Sequence, residues 1–244
     1  MKGFLTLLLG IFLVYGCGKA ESEKNNIPEK KTEPAKTMQT IKSNNVATTT
    51  FTFEDYETGT IPSDWSQYFT GRGSGTDWKI VDDKGNKVLA QLSSDNPNYH
   101  FNVIVFDSLT AKNLTMEVKM KGVRGRMDQG GGFVWRFKDA DNYYVVRANP
   151  LEDNVVLYRV KGGVRTDLPL IGKGRTYGTD VAPLGSGWND LKLVVANDLF
   201  TVYLNGKQLF QVRDTTFGNA GKAGLWTKAD AVSYFDNLTI TVIE

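Results

Sequence analysis

The stretch from Asp128 to Tyr158, DQGGGFVWRFKDADNYYVVRANPLEDNVVLY, narrows the fold more than any other part of this chain. It reads as three successive strands, joined first by an Asp-Ala-Asp-Asn turn and then by Pro150-Leu151-Glu152-Asp153. Successive side chains of a strand project to opposite faces of its sheet. Alternation therefore predicts Phe133, Trp135 and Phe137 on one face of the first strand, with Val134 and Arg136 on the other. In the second strand Tyr143, Val145, Arg147 and Asn149 share a face. An arginine and an asparagine beside an aromatic ring suit a sugar, because rings stack on pyranose faces while planar donors and amides bond hydroxyl groups. The stretch points to a fold and a ligand face, and not to a reaction.

The same texture continues on both sides. Short alternating runs separated by Gly, Asn, Asp and Pro fill residues 51–244, without an amphipathic helical period, which is the pattern of a sandwich or barrel. Candidate strands are Thr50–Glu54, Trp78–Val81, Lys87–Leu92, Asn102–Phe106 and Leu114–Lys121 before the central three. Val164–Pro169, Trp188–Ala196, Leu199–Leu204, Lys207–Val212, Lys222–Thr227 and Val232–Val242 follow. Asn205-Gly206 lets both central turn residues take positive φ, as a type I′ hairpin requires. Gly130-Gly131-Gly132 runs into a strand, whereas a phosphate cradle opens onto a helix N-terminus. Its role is close backbone approach or room on a sheet face. The segment is long enough for one domain with a full core.

The start of the chain is a different kind of sequence. Lys2 precedes the apolar run GFLTLLLGIFLVYG, which ends at Cys17. Such a run is a secretory signal peptide over residues 1–16, short of the roughly 20 apolar residues that span a bilayer. Val14-Tyr15-Gly16-Cys17 resembles a bacterial lipobox, which implies cleavage before Cys17 and its lipidation. Cys17 is the only cysteine, so no intramolecular disulfide can form. Residues 17–50 then read as a lipidated cysteine and a flexible tether, rich in Lys, Glu, Asn, Thr and Pro and free of aromatics. The expected location is the bacterial cell envelope, lipid-anchored, with Gly18 favouring the outer membrane. Membrane contact would be through the anchor alone. With 29 basic and 27 acidic residues interspersed, the chain carries no electrostatic footprint for nucleic acid.

Four motifs occur together: FEDYETGTIPSDW (53–65), the central block, FTVYLNGKQLF (200–210) and GLWTKADAVSYFDNLTI (224–240). In this order they resemble the concanavalin A-like lectin/glucanase superfamily. The resemblance is nearest to the bacterial domain family named after 3-keto-disaccharide hydrolases, which overlaps laminin-G-like sequences. It covers essentially residues 51–244. It implies an all-β fold, a jelly roll of two curved antiparallel sheets with six or seven strands each, and a concave face where sugars bind in many relatives.

Retaining glucanases on that fold carry a Glu-x-Asp-x-(x)-Glu strand, and no such triplet exists here, where Leu114–Lys121 offers only Glu117. The single histidine, His100, has no nucleophile elbow to serve. Asp128, Glu152 and His100 are the remaining catalytic candidates, each weighed against a structural role. The ligand-binding candidates are Trp135, Arg136, Tyr143, Arg147, Asn149 and Trp226, with pairing to Asp128 or Asp153 as the plainer account of Arg147. No cofactor is required. Glu54 and Asp236 are weighed as hard-oxygen ligands of a structural Ca²⁺ against simple turn capping. The leading expectation is a lectin-like domain binding a glycan. A carbohydrate-active hydrolase or lyase, or an envelope structural protein, stand as alternatives.

Overall fold

A computed structural model describes residues 39–43 and 46–243. The signal-peptide run, Cys17 and the tether up to residue 38 lie outside the described residues. The described chain enters through β1 (Gln39–Ser43), β2 (Val46–Phe51) and β3 (Trp65–Gly71). A hairpin of β4 (Trp78–Asp82) and β5 (Lys87–Gln91) leads to the long strands β6 (His100–Ala111) and β7 (Asn113–Arg124). The central meander is β8 (Gly131–Asp139), β9 (Asn142–Asn149) and β10 (Asn154–Lys161), followed by β11 (Val164–Asp167) and the short β12 (Thr179–Asp180). The chain closes through β13 (Asn189–Ala196), β14 (Leu199–Leu204), β15 (Lys207–Arg213), β16 (Gly221–Lys228) and β17 (Val232–Ile243).

These strands form two antiparallel sheets of nine and eight strands, more than the six or seven each that the resemblance implies. One runs β1-β2-β17-β7-β13-β14-β15, with β5 and β4 added beside β17. The other runs β11-β10-β9-β8-β16-β6-β3, with β12 on β10. The first sheet begins earlier than composition suggests. Val46–Phe51 pairs along its whole length with β17, and β1 pairs with β2, inside the stretch expected to be tether. Alternating threonines supply the reason: Thr48 and Thr50 meet Thr241 and Thr239 across the ladder at 3.0 and 3.2 Å. Thr is a good strand former although it is polar. The expected Thr50–Glu54 strand stops at Phe51 because Phe53 takes φ 64°, turning the chain while its ring stays in the core. Strand β3 is missing from the sequence reading, since WSQYFTG mixes polar and aromatic residues without a run of β-branched ones. Asn205 and Gly206 take φ 47° and 78°, the type I′ hairpin the dipeptide predicts.

The main core lies between the sheets. Trp135 sits wholly inside it, 5.4 Å from the Tyr144 ring and 5.3 Å edge-on to Phe200. Phe51, Trp65 and Phe106 form a second aromatic knot there. A bulge then breaks the alternation expected for β8. Arg136 takes φ 48°, and the β8–β9 register shifts between Trp135 and Asp139. Phe133 and Trp135 therefore face the main core while Phe137 joins Val134 on the opposite face. A Trp135→Ala variant is expected to lose about 3–5 kcal/mol of stability, the usual range for deleting a buried tryptophan. Urea unfolding read by circular dichroism checks this.

Candidate functional site

The outer face of the eight-stranded sheet is set by register. Paired residues place Val156, Arg147, Gly132, Trp226, Val103 and Tyr68 in one row across β10, β9, β8, β16, β6 and β3. Tyr143 lies on the same side, next to Val160. The sheet curls around this face until its two ends meet. The Tyr99 hydroxyl, just before β6, donates to the Gly163 carbonyl (3.0 Å) and accepts the Arg165 amide (2.9 Å) of the opposite edge. At the hairpin tip Thr70 meets the Tyr143 hydroxyl at 2.7 Å and the Ala140 carbonyl. Trp226, Tyr143, Tyr158 and Phe101 are buried on this face, where they pack into a second apolar cluster.

Arg147 occupies the end of this face with its side chain 1% exposed. Its Nη1 donates to Asn154 Oδ1 (2.6 Å) and its Nη2 to Glu152 Oε2 (2.7 Å), which also accepts Asn154 Nδ2 at 3.1 Å. The partner is thus Glu152 of the β9–β10 turn, rather than Asp153, whose Oδ1 accepts the Leu184 amide. Asp128 stands on the other side. Its Oδ1 accepts the Gly130 amide (2.6 Å) and its Oδ2 pairs with Lys228 Nζ (3.2 Å). Its loop is pinned by Asp230, whose carboxylate accepts the amides of Arg126, Met127 and Asp128. The glycine triplet makes the room. A Cβ on Gly130 would come within 2.8 Å of the Asp128 carboxylate and 3.0 Å of Arg147, and one on Gly131 within 2.8 Å of Phe235.

Two donors in this cluster are buried without an acceptor, Arg147 Nε and Asn149 Nδ2. The Asn149 oxygen is already used, accepting the Leu151 amide at 3.1 Å. An unsatisfied buried donor costs about 1–3 kcal/mol, so these two N–H groups are unmet hydrogen-bonding capacity in the cluster. Arg147 Nε, Asn149 Nδ2 and the carboxylates of Glu152 and Asp128 together offer donors and acceptors side by side, which is what sugar hydroxyls use.

Not every predicted residue belongs here. Trp135 is core, on the opposite face of the sheet. Arg136, 2% exposed, turns away at the bulge, and its guanidinium donates to the carbonyls of Lys112 (3.0 Å), Phe217 (2.7 Å) and Asn197. It ties three loops together and meets no ligand face. Tyr143, Arg147, Asn149 and Trp226 do share the predicted face. His100 projects to the side opposite its neighbour Phe101, stacked on Phe69 at 4.9 Å with Nδ1 donating to the Arg72 carbonyl (2.7 Å). It therefore cannot act with Glu152 or Asp128. Glu54 lies in a turn, accepting the Lys87 amide, while Asp236 accepts Asn86 Nδ2 and the Asn237 amide. Among the described residues no group of three or more His, Cys, Asp or Glu side chains could hold a metal ion.

Arg165 was missed by the sequence reading. Its guanidinium carbon lies 4.4 Å from the Tyr158 ring centre, 4.9 Å from Phe101 and 5.9 Å from Trp226. The signal was present: Gly162-Gly163 is a two-residue turn, which pairs Val160 with Arg165 and puts both on the Tyr143 face.

No protein-family model matches this sequence, and no curated protein matches it. Solved structures do match. The carbohydrate-binding module CBM66 from Bacillus subtilis superposes with TM-score 0.54 and 22% identity, covering 72% of this chain and 94% of that one. The mixed linkage glucan GH16 of Bacteroides ovatus, solved with its G4G4G3G product, gives 0.55 at 10% identity, over 78% and 98% of the two chains. A Shewanella oneidensis MR-1 protein of unknown function gives 0.53 at 16%, over 84% and 90%. The fold is a two-sheet antiparallel jelly roll of the kind these structures share. On it, the curled sheet with Arg147 is the concave one.

Electrostatics define the state of the cluster. Burial raises the Glu152 carboxyl, but Arg147 and the hydrogen bond from Asn154 outweigh it, and the group ends below its ordinary value of 4.5. A carboxyl lowered by folding stabilises the fold above its unfolded value, and that contribution is lost as pH falls through the folded value. Glu152→Gln is therefore expected to lower stability at pH 7, by an amount that shrinks as acidification takes the solution below the ordinary carboxylate range and through the folded value. Urea titrations of both proteins at the two pH values check this.

Proposed function

We propose that this protein is a carbohydrate-binding module that holds a glycan at the Arg147 end of its concave sheet. The observation that carries the reading is Arg147, buried mid-sheet with Nε unsatisfied next to the unsatisfied amide of Asn149. The fold supports it: a carbohydrate-binding module and a glucan-active protein share this jelly roll. The lipobox-like Val14–Cys17 supports placement at a bacterial cell envelope through a lipid anchor, with loss of fatty-acid labelling in Cys17→Ser as its check.

A hydrolase of the 3-keto-disaccharide type is the second reading. It is favoured by Asp128 and Glu152 both acting on the charge of Arg147. Against it, a general acid needs a raised pKa, whereas Glu152 is held ionised by its ion pair. The test is a glycan array on the purified full chain, followed by mass spectrometry of the bound glycans. Binding with intact glycans is expected. Asn149→Ala and Arg147→Gln should each weaken it at least about tenfold, or ~1.4 kcal/mol. Thermal melts serve as the fold control. Cleaved products would transfer the function to Asp128 and Glu152, and silence on every glycan would favour a protein-interaction role.

A further inference from the structure

The nine arginines sort by what answers their charge. Arg147, Arg159, Arg175 and Arg213 each pair with a carboxylate, at 2.7, 3.0, 2.6 and 2.7 Å. Arg136 is held by three carbonyls, and Arg72, Arg124 and Arg126 are exposed to water. Arg165 fits none of these groups. It is half-buried, it pairs with no carboxylate among the described residues, and its Nη1 is buried without an acceptor. Asp167, two residues away on its own strand, is already held by Arg175 through both oxygens, at 2.9 and 2.6 Å.

Arg165 is nevertheless firmly placed. Its amide is fixed by Tyr99, and its guanidinium lies over Tyr158 and Phe101 at the edge of the second apolar cluster. Arg147 reaches the same Tyr158 ring, with its guanidinium carbon 6.0 Å from the ring centre. The charged groups that act on this face are Arg147, Lys228 and Arg165 with Asp128, Glu152, Asp141 and Asp167; Arg147, Lys228 and Arg175 pair directly with Glu152, Asp128 and Asp167. Arg165 alone of these cations has no direct carboxylate partner among the described residues. A guanidinium stacked on rings keeps its edge N–H groups free, and that edge matches the two oxygens of a carboxylate.

We propose that the glycan is an acidic one, a uronic-acid-containing saccharide whose carboxylate is read by Arg165 while Arg147 and Asn149 bond its hydroxyls. This rests on the glycan-binding reading above and names the ligand class for the same site. Arg165 then determines specificity, and Arg147 determines whether sugar binds at all.

Calorimetry on the full chain tests this with trimers of galacturonate, glucuronate and mannuronate, each beside its carboxyl-reduced neutral form. The expected result is at least one acidic trimer binding tenfold or more tightly than its neutral partner. Arg165→Gln should remove that preference, bringing the acidic and neutral affinities together, while Arg165→Lys, which keeps the charge but not the paired donors, recovers only part of it. Arg147→Gln should weaken both forms. If a neutral form binds as tightly as its acid, or if the glycan array shows binding only to neutral sugars, the acidic ligand class is overturned and the carbohydrate module stands. If neither the trimers nor the array gives binding, both fall together.

Discussion

An arginine buried in the middle of a β-sheet must be neutralised where it lies, because the uncompensated charge would cost several kcal/mol. Arg147 imposes this demand, and much of its surroundings answers it. The β9–β10 turn brings Glu152 and Asn154 back onto the guanidinium. Gly130 leaves the space in which Arg147 and Asp128 come together, and Asp230 holds the Asp128 loop by its amides. A protein seeking only stability would do as well with an apolar residue at this place. Keeping a buried cation with one N–H unsatisfied is therefore a feature that stability alone does not require.

The second organising device is the bulge at Arg136. By inserting one residue at φ 48° it turns the end of β8 over, so that Phe137 packs at 4.9 Å on Tyr68 and at 5.7 Å on Tyr143 in the second apolar cluster of the concave face. The same bulge turns Arg136 away from that face and against the Phe200 ring, where it gathers three backbone carbonyls. Two adjacent residues that look alike as sugar ligands, Trp135 and Arg136, thereby become core and clamp. The face carrying Tyr143, Arg147, Asn149 and Trp226 is left to β9, β10, β11 and β16.

The legible part of this protein was local. Alternation along β9 put Tyr143, Arg147 and Asn149 on one face, because the pleat enforces a period of two wherever the strand is regular. Asn205-Gly206 specified its hairpin through the φ angles it tolerates, and the glycine triplet announced a need for space. The errors fell where regularity fails or where pairing is distant. Phe53 and Arg136 leave the strand conformation without glycine to announce it. The Thr48 and Thr50 strand looks like tether until β17, almost two hundred residues later, supplies its ladder.

From the sequence alone came the all-β class and the face that carries Arg147, since both depend on residue type and spacing within a few positions. Only the tertiary structure decided which carboxylate answers Arg147, that His100 faces away, and that Arg165 arrives over Tyr158 and Trp226 from the far edge of the sheet. Those facts depend on how tightly an eight-stranded sheet curls, and curl is a sum of many small twists and one bulge rather than a property of any single residue.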